Sequence, residues 1–133
     1  MKELQFMFGA VGGFLGWFLG GVDGFMYALV TFVVFDYVTG LMVAVLEHKL
    51  SSEVGFRGIF KKVLIFVLVG VGNIIDVHVI KNGSAIRTAV IFFYVANEGI
   101  SIIENAAKIG LPIPQKLKDI LEQLKKEGED NES

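Results

Sequence analysis

The sequence predicts an all-α, polytopic integral membrane protein with three to four transmembrane helices and a short amphipathic C-terminal helix. Composition is the first reason: of 133 residues 53% are hydrophobic, with 16 glycines and 12 phenylalanines against 2 prolines. A soluble domain of this size needs a polar exterior, and an apolar excess held in long blocks is hard to hide in one core. Charge segregation is the second: the first 46 residues carry one lysine and three acids, whereas the strongest basic clusters fall between 49 and 62 and after 107. Without cysteine there is no disulfide framework, thiolate metal site or cysteine nucleophile, and His48 and His78 are far apart in the chain.

The first apolar block, residues 4–22, has 19 residues without a charge. At about 1.5 Å per residue it reaches roughly 28 Å, close to the thickness of a hydrocarbon core. A cleaved leader is not expected, because Lys2-Glu3 has no net positive charge and no small-residue cleavage site follows. Gly12, Gly16, Gly20 and Gly24 repeat every four residues, with Gly9 and Gly13 beside them. In lipid, small residues at this spacing let helix backbones approach closely. Self-association through them and packing against another span of the same chain both fit.

Residues 25–46 form the best span, interrupted only by Asp36. Its twelve Leu, Phe and Val residues favour insertion by roughly 4–7 kcal/mol, against about 3 kcal/mol opposing it for a central aspartate. Asp36 is then either a functional group facing a partner or a water-filled lumen, or a packing residue satisfied by Thr39 or Asn73.

The third block, residues 63–80, is anchored at its near end by Lys61 and Lys62 and carries Asp76 and His78 at its far end. The fourth, residues 88–103, is broken by Asn97, Glu98 and Ser101 and needs neighbours to span. Tyr94, Asn97, Glu98, Ser101, Glu104, Asn105 and Lys108 recur at spacings of three and four, which places them on one helical face. That stripe is too polar for lipid. It fits an aqueous wall or a helix-binding face, with Glu104 to Lys108 lying beyond the headgroups in the plainer reading.

The segment 47–62, with four Lys/Arg, and the region after Glu104, with five lysines, are expected on the cytoplasmic side. The loop at Lys81-Asn82-Gly83-Ser84 lies opposite. Residues 1–110 are thus expected to form the membrane-spanning domain. Residues 111–133 are expected to form a cytoplasmic amphipathic helix, its stripe Leu117, Ile120, Leu121 and Leu124, ending in a disordered acidic run from Glu127. Four spans put both termini inside; three place the amino terminus outside or on the surface.

No phosphate-binding glycine loop, histidine pair at metal-ligand spacing or linked catalytic triad is present in the sequence. An enzyme, a metal site, a cofactor and a nucleic-acid partner are not expected.

Three pieces resemble a known family, covering residues of about 25–125: Asp36-Tyr37-Val38-Thr39-Gly40, then Ser51 through Lys62, then Asn97-Glu98-Gly99-Ile100-Ser101-Ile102-Ile103-Glu104-Asn105 with Gly110-Leu111-Pro112-Ile113-Pro114 and a Lys/Leu helix. In order and spacing they look like the toxin-secretion and phage-lysis holins. The resemblance implies a homo-oligomer in a bacterial cytoplasmic membrane that opens lesions through which an endolysin, or in some relatives a toxin, passes. The other readings are a small ion channel or transporter subunit and a non-pore, antiholin-type accessory protein. No internal repeat of the transporter kind is evident.

Overall fold

A computed structural model describes residues 1–132, with side chains described through Glu127. It is helical throughout: α1 Lys2–Leu19, α2 Gly24–Leu46, α3 Ser52–Ile74 continued by a π-helical segment Ile75–Ile80, α4 Ala85–Ile109, and α5 Gln115–Glu132. Among the described residues three helices are long and apolar enough to cross a membrane, namely α2, α3 with its π-helical continuation (Ser52–Ile80), and α4. α1 is not one of the three, and its residues are nowhere buried.

Local chemistry fixes the boundaries. Asp23 caps α2 by accepting from the Met26 backbone N–H at 2.9 Å, and Ser51 caps α3 by accepting from Val54 N–H at 3.1 Å. At the carboxyl ends of α1 and α4 the chain reverses through Schellman turns. Gly20, at φ 84°, lets Gly21 N–H reach Gly16 O at 2.7 Å, and Gly110, at φ 105°, lets Leu111 N–H reach Ala106 O at 3.0 Å. α4 receives no cap from its own Ser84. Instead Asp76, buried in the π-helical segment, accepts from Ile86 N–H at 3.1 Å and Arg87 N–H at 2.8 Å, satisfying two open donors of the helix start.

The third span begins earlier than its hydropathy indicates. Residues 52–62 are helical, not a loop, because Ser51 caps the start and Glu53 pairs with Arg57 one turn on at 3.2 Å. Lys61 and Lys62 therefore lie inside α3 instead of anchoring its near end. α4 likewise extends on both sides of residues 88–103. The acidic run expected to be disordered continues α5 as far as Glu132, its start tied by Gln123 donating to Glu127 at 3.3 Å, while Ser133 lies outside the described residues.

α4 is the central helix and packs against α2, α3 and α5, whereas α1 packs against α3 and is hydrogen-bonded at its last residue by Arg87 of α4. Met26, Leu29, Val33, Ile65, Val69 and Ile91 make the apolar core. Close approach along the helices is made at glycines outside the four-residue repeat, Gly20 at the end of α1 being the exception within it. A side chain on Gly70 would overlap the Phe18 ring, and a Cβ on Gly72 would lie 3.2 Å from the Arg87 backbone. Gly12 and Gly16 meet nothing within 4 Å; Gly20 caps α1 and Gly24 opens α2, so the repeat does not run along one helix.

Candidate functional site

Asp36 of α2 lies about ten residues before Leu46, Lys62 of α3 about ten after Ser52, and Glu98 of α4 about eleven before Ile109. At about 1.5 Å per residue each is roughly 15 Å inside the same end of the bundle. There they converge. Lys62 Nζ lies 2.5 Å from Asp36 Oδ2 and 2.8 Å from Glu98 Oε1, with side-chain exposures of 19%, 8% and 4% for Lys62, Asp36 and Glu98. One ammonium thus ties three helices together.

The remaining lone pairs are partly filled. Asn105 donates to Asp36 Oδ1 at 3.2 Å and to Thr39 Oγ1 at 3.0 Å, and Thr39 donates to Phe35 O at 2.8 Å. Two carboxylates face one lysine, so the fully ionised cluster carries one negative charge in excess. Buried between apolar helices, such a charge requires water or a proton beside it. Among the described residues three open grooves reach Lys62: one of about 240 Å³ holding Asp36, Ser101 and Asn105, one of about 430 Å³ holding Lys61, Asn97 and Glu98, and an apolar one of about 310 Å³ lined by Val33, Tyr37 and Phe66.

Of the residues singled out in the sequence, Asp36 and Glu98 belong to this triad, while Ser101 and Asn97 line two of its grooves. Glu104 does not join it. It is exposed and borders a groove shared with Lys118 and Glu122 of α5. Asn73, one of the two partners considered for Asp36, lies at the opposite end of the bundle.

That end holds a second polar cluster which the sequence analysis did not assemble. Arg87, 4% exposed, donates to Leu19 O at 2.6 Å, Gly21 O at 3.0 Å and Asp23 Oδ2 at 2.9 Å. Asn73 donates to Trp17 O at 3.3 Å and Phe18 O at 3.0 Å. Together they satisfy carbonyls left open at the end of α1 and fasten it to the bundle. The Arg87 hydrogen bond holds the Asp23 carboxyl below the usual carboxylate range. Gly20 is required here, since a Cβ would fall 2.6 Å from Asn73 Oδ1 and 2.7 Å from Arg87 Nε.

Charged residues locked between apolar helices suit a membrane bundle, and the sequence comparison identifies which kind. Residues 13–126 match the bacteriophage holin family. The chain belongs to that family. It is 43% identical over 126 residues to the uncharacterized protein Lmo0128 of Listeria monocytogenes, covering 94% of this chain and 87% of that one. Identity to an uncharacterized 14.9 kDa protein in the nagH 3' region of Clostridium perfringens is 41% over 116 residues, covering 86% of this chain and 87% of that one. The uncharacterized protein YqxH of Bacillus subtilis is 35% identical over 114 residues, covering 86% and 80%. No solved structure matches the chain. With three candidate spans, this holin-family chain is a multi-pass membrane protein.

Proposed function

We propose that the protein is a holin: it accumulates in a bacterial cytoplasmic membrane, self-associates and opens lesions that pass an endolysin to the cell wall or release a toxin. The observation that carries this reading, beside family membership, is the Asp36–Lys62–Glu98 triad at mid-membrane. Charges at that depth are retained where they face a partner or water, and here they are both paired within the chain and bordered by open grooves. The triad holds the subunit together until assembly gives its surplus charge a water-filled wall.

α1 offers the face for assembly. Gly12 and Gly16 stand open beside Phe8, Phe14 and Trp17, all exposed, on a helix fastened to its own bundle only by its last turn. In the bilayer such a helix gains contact by packing against another copy. Orientation follows from charge. Lys49, Arg57, Lys61 and Lys108 lie toward the end where α2 ends, α3 begins and α4 ends, which supports a cytoplasmic side for that end.

Inducible expression in a bacterium together with a muralytic enzyme lacking any export signal tests the reading. Abrupt lysis that needs both proteins, with the enzyme in the medium, is the expected result. Loss of membrane potential without enzyme release would make the protein a small channel. No effect at confirmed membrane levels would make it an accessory of the antiholin type.

A further inference from the structure

α5 does not hang below the bundle; it lies on it. The Schellman turn at Gly110, followed by Pro112 and Pro114, reverses the chain as α4 ends, and α5 runs back along α4. Leu121, 7% exposed, is its knob. The leucine methyls occupy the space a side chain on Gly99 would need, with the ring of Phe32 from α2 against the same spot. Gly99 is about ten residues before Ile109, so the contact sits roughly 15 Å inside the bundle, level with the triad.

The opposite face of α5 cannot be given to lipid. Lys116, Asp119, Lys126 and Glu127 are exposed on it, and ionised side chains facing hydrocarbon are strongly disfavoured. Detaching α5 is no remedy within this packing, because it would uncover Leu121 and leave the Gly99 hollow empty. Both demands are met when the helix stays seated and its outer face meets water.

We infer that α5 is a packed fourth layer of the membrane bundle, seated by Leu121 in the Gly99 hollow of the α2–α4 face, with its charged face lining the aqueous side of the assembly. The seat is a property of the single chain; the aqueous lining rests on the hole-forming reading above. A lipid-facing surface is thereby left to the other sides of the bundle.

The chain has no cysteine, so introduced ones report cleanly. Ala107 and Lys118 border one groove, as do Ile103 and Glu122. In the full-length protein in bacterial membranes, the pairs Ala107→Cys/Lys118→Cys and Ile103→Cys/Glu122→Cys should both crosslink within one chain through a short bifunctional thiol reagent. Adding Leu121→Asp or, independently, Gly99→Leu should abolish the crosslink. A single Lys126→Cys should react with a charged, membrane-impermeant thiol reagent added from the aqueous phase. Crosslinks confined to dimers, or absent while each single cysteine is labelled, would overturn the seat. Labelling of Lys126→Cys only by an apolar, permeant reagent would overturn the aqueous lining. Intrachain crosslinks in a protein that fails to lyse cells would keep the seat and remove the holin reading, so the two failures are distinguishable.

Discussion

Lys62 and Asp36 meet at 2.5 Å although twenty-six residues of chain separate them. Neither residue is placed by its own helix alone. The lysine is held inside the bundle because α2 and α4 each present a carboxylate to it, and each carboxylate is tolerable there because the lysine is present.

The first prediction concerns that dependence. Lys62→Met leaves two carboxylates facing each other in the bundle and should destabilise the detergent-solubilised protein by about 3–5 kcal/mol, the usual cost of stranding a buried charge. The triple variant Asp36→Asn/Lys62→Met/Glu98→Gln should recover most of it, because no charge is left unpaired. Denaturation followed by circular dichroism checks both; a Lys62→Met protein as stable as the original would show that the triad does not hold the helices.

Asp36→Asn keeps the Lys62–Glu98 pair and removes the surplus negative charge. Insertion should persist, while the onset of lysis or the size of the opening changes. Lysis timing at matched protein level is the measurement, and unchanged timing would count against a water-facing role for this carboxylate.

Two glycines of one repeat should behave in opposite ways. Gly16→Ala, in open space on a helix, should stabilise the isolated subunit by about 0.5–1 kcal/mol. Gly20→Ala should cost at least about 1–2 kcal/mol, because its positive φ disfavours a side chain and Asn73 and Arg87 already occupy the space. Gly16→Leu should leave the subunit folded and shift membrane crosslinking toward smaller species. An unchanged ladder would remove α1 from the assembly.

Acid should loosen the attachment of α1. The folded-state carboxyl of Asp23 titrates below its ordinary value of 3.8 because Arg87 hydrogen-bonds it. Its contribution is therefore complete above the unfolded carboxylate value and is lost as pH falls through the lower folded one. Trp17, the single tryptophan, lies at the attached end of α1. Its fluorescence in detergent should change over that acid window, and Asp23→Asn should abolish the change; the same transition in the variant would assign it to another group.

Much of the architecture was legible in apolar block length. The α2 boundaries differ from the expected 25–46 by a single residue, and α4 contains all of 88–103. Asp36 and Glu98 stood out because carboxylates in apolar blocks are costly. Lys62 did not, since hydropathy treats a lysine beside an apolar run as its end, and the burial of this one depends on groups far away in the chain. The cap at Ser51 and the Glu53–Arg57 spacing were the available signals that α3 starts early. Nothing local to Arg87 reveals that Asp23 and the α1 carbonyls surround it. The glycine repeat drew attention by its regularity, yet Gly70, Gly72 and Gly99, irregularly spaced, receive the neighbouring side chains and backbone.

The central claim, that this bundle opens a membrane to folded protein, is tested most directly with purified protein in liposomes loaded with both a small dye and a fluorescent protein. Raising the protein-to-lipid ratio should release the two cargoes together once a threshold density is passed. Release of the dye alone at every density, or of neither from vesicles proven to contain the inserted protein, would contradict it.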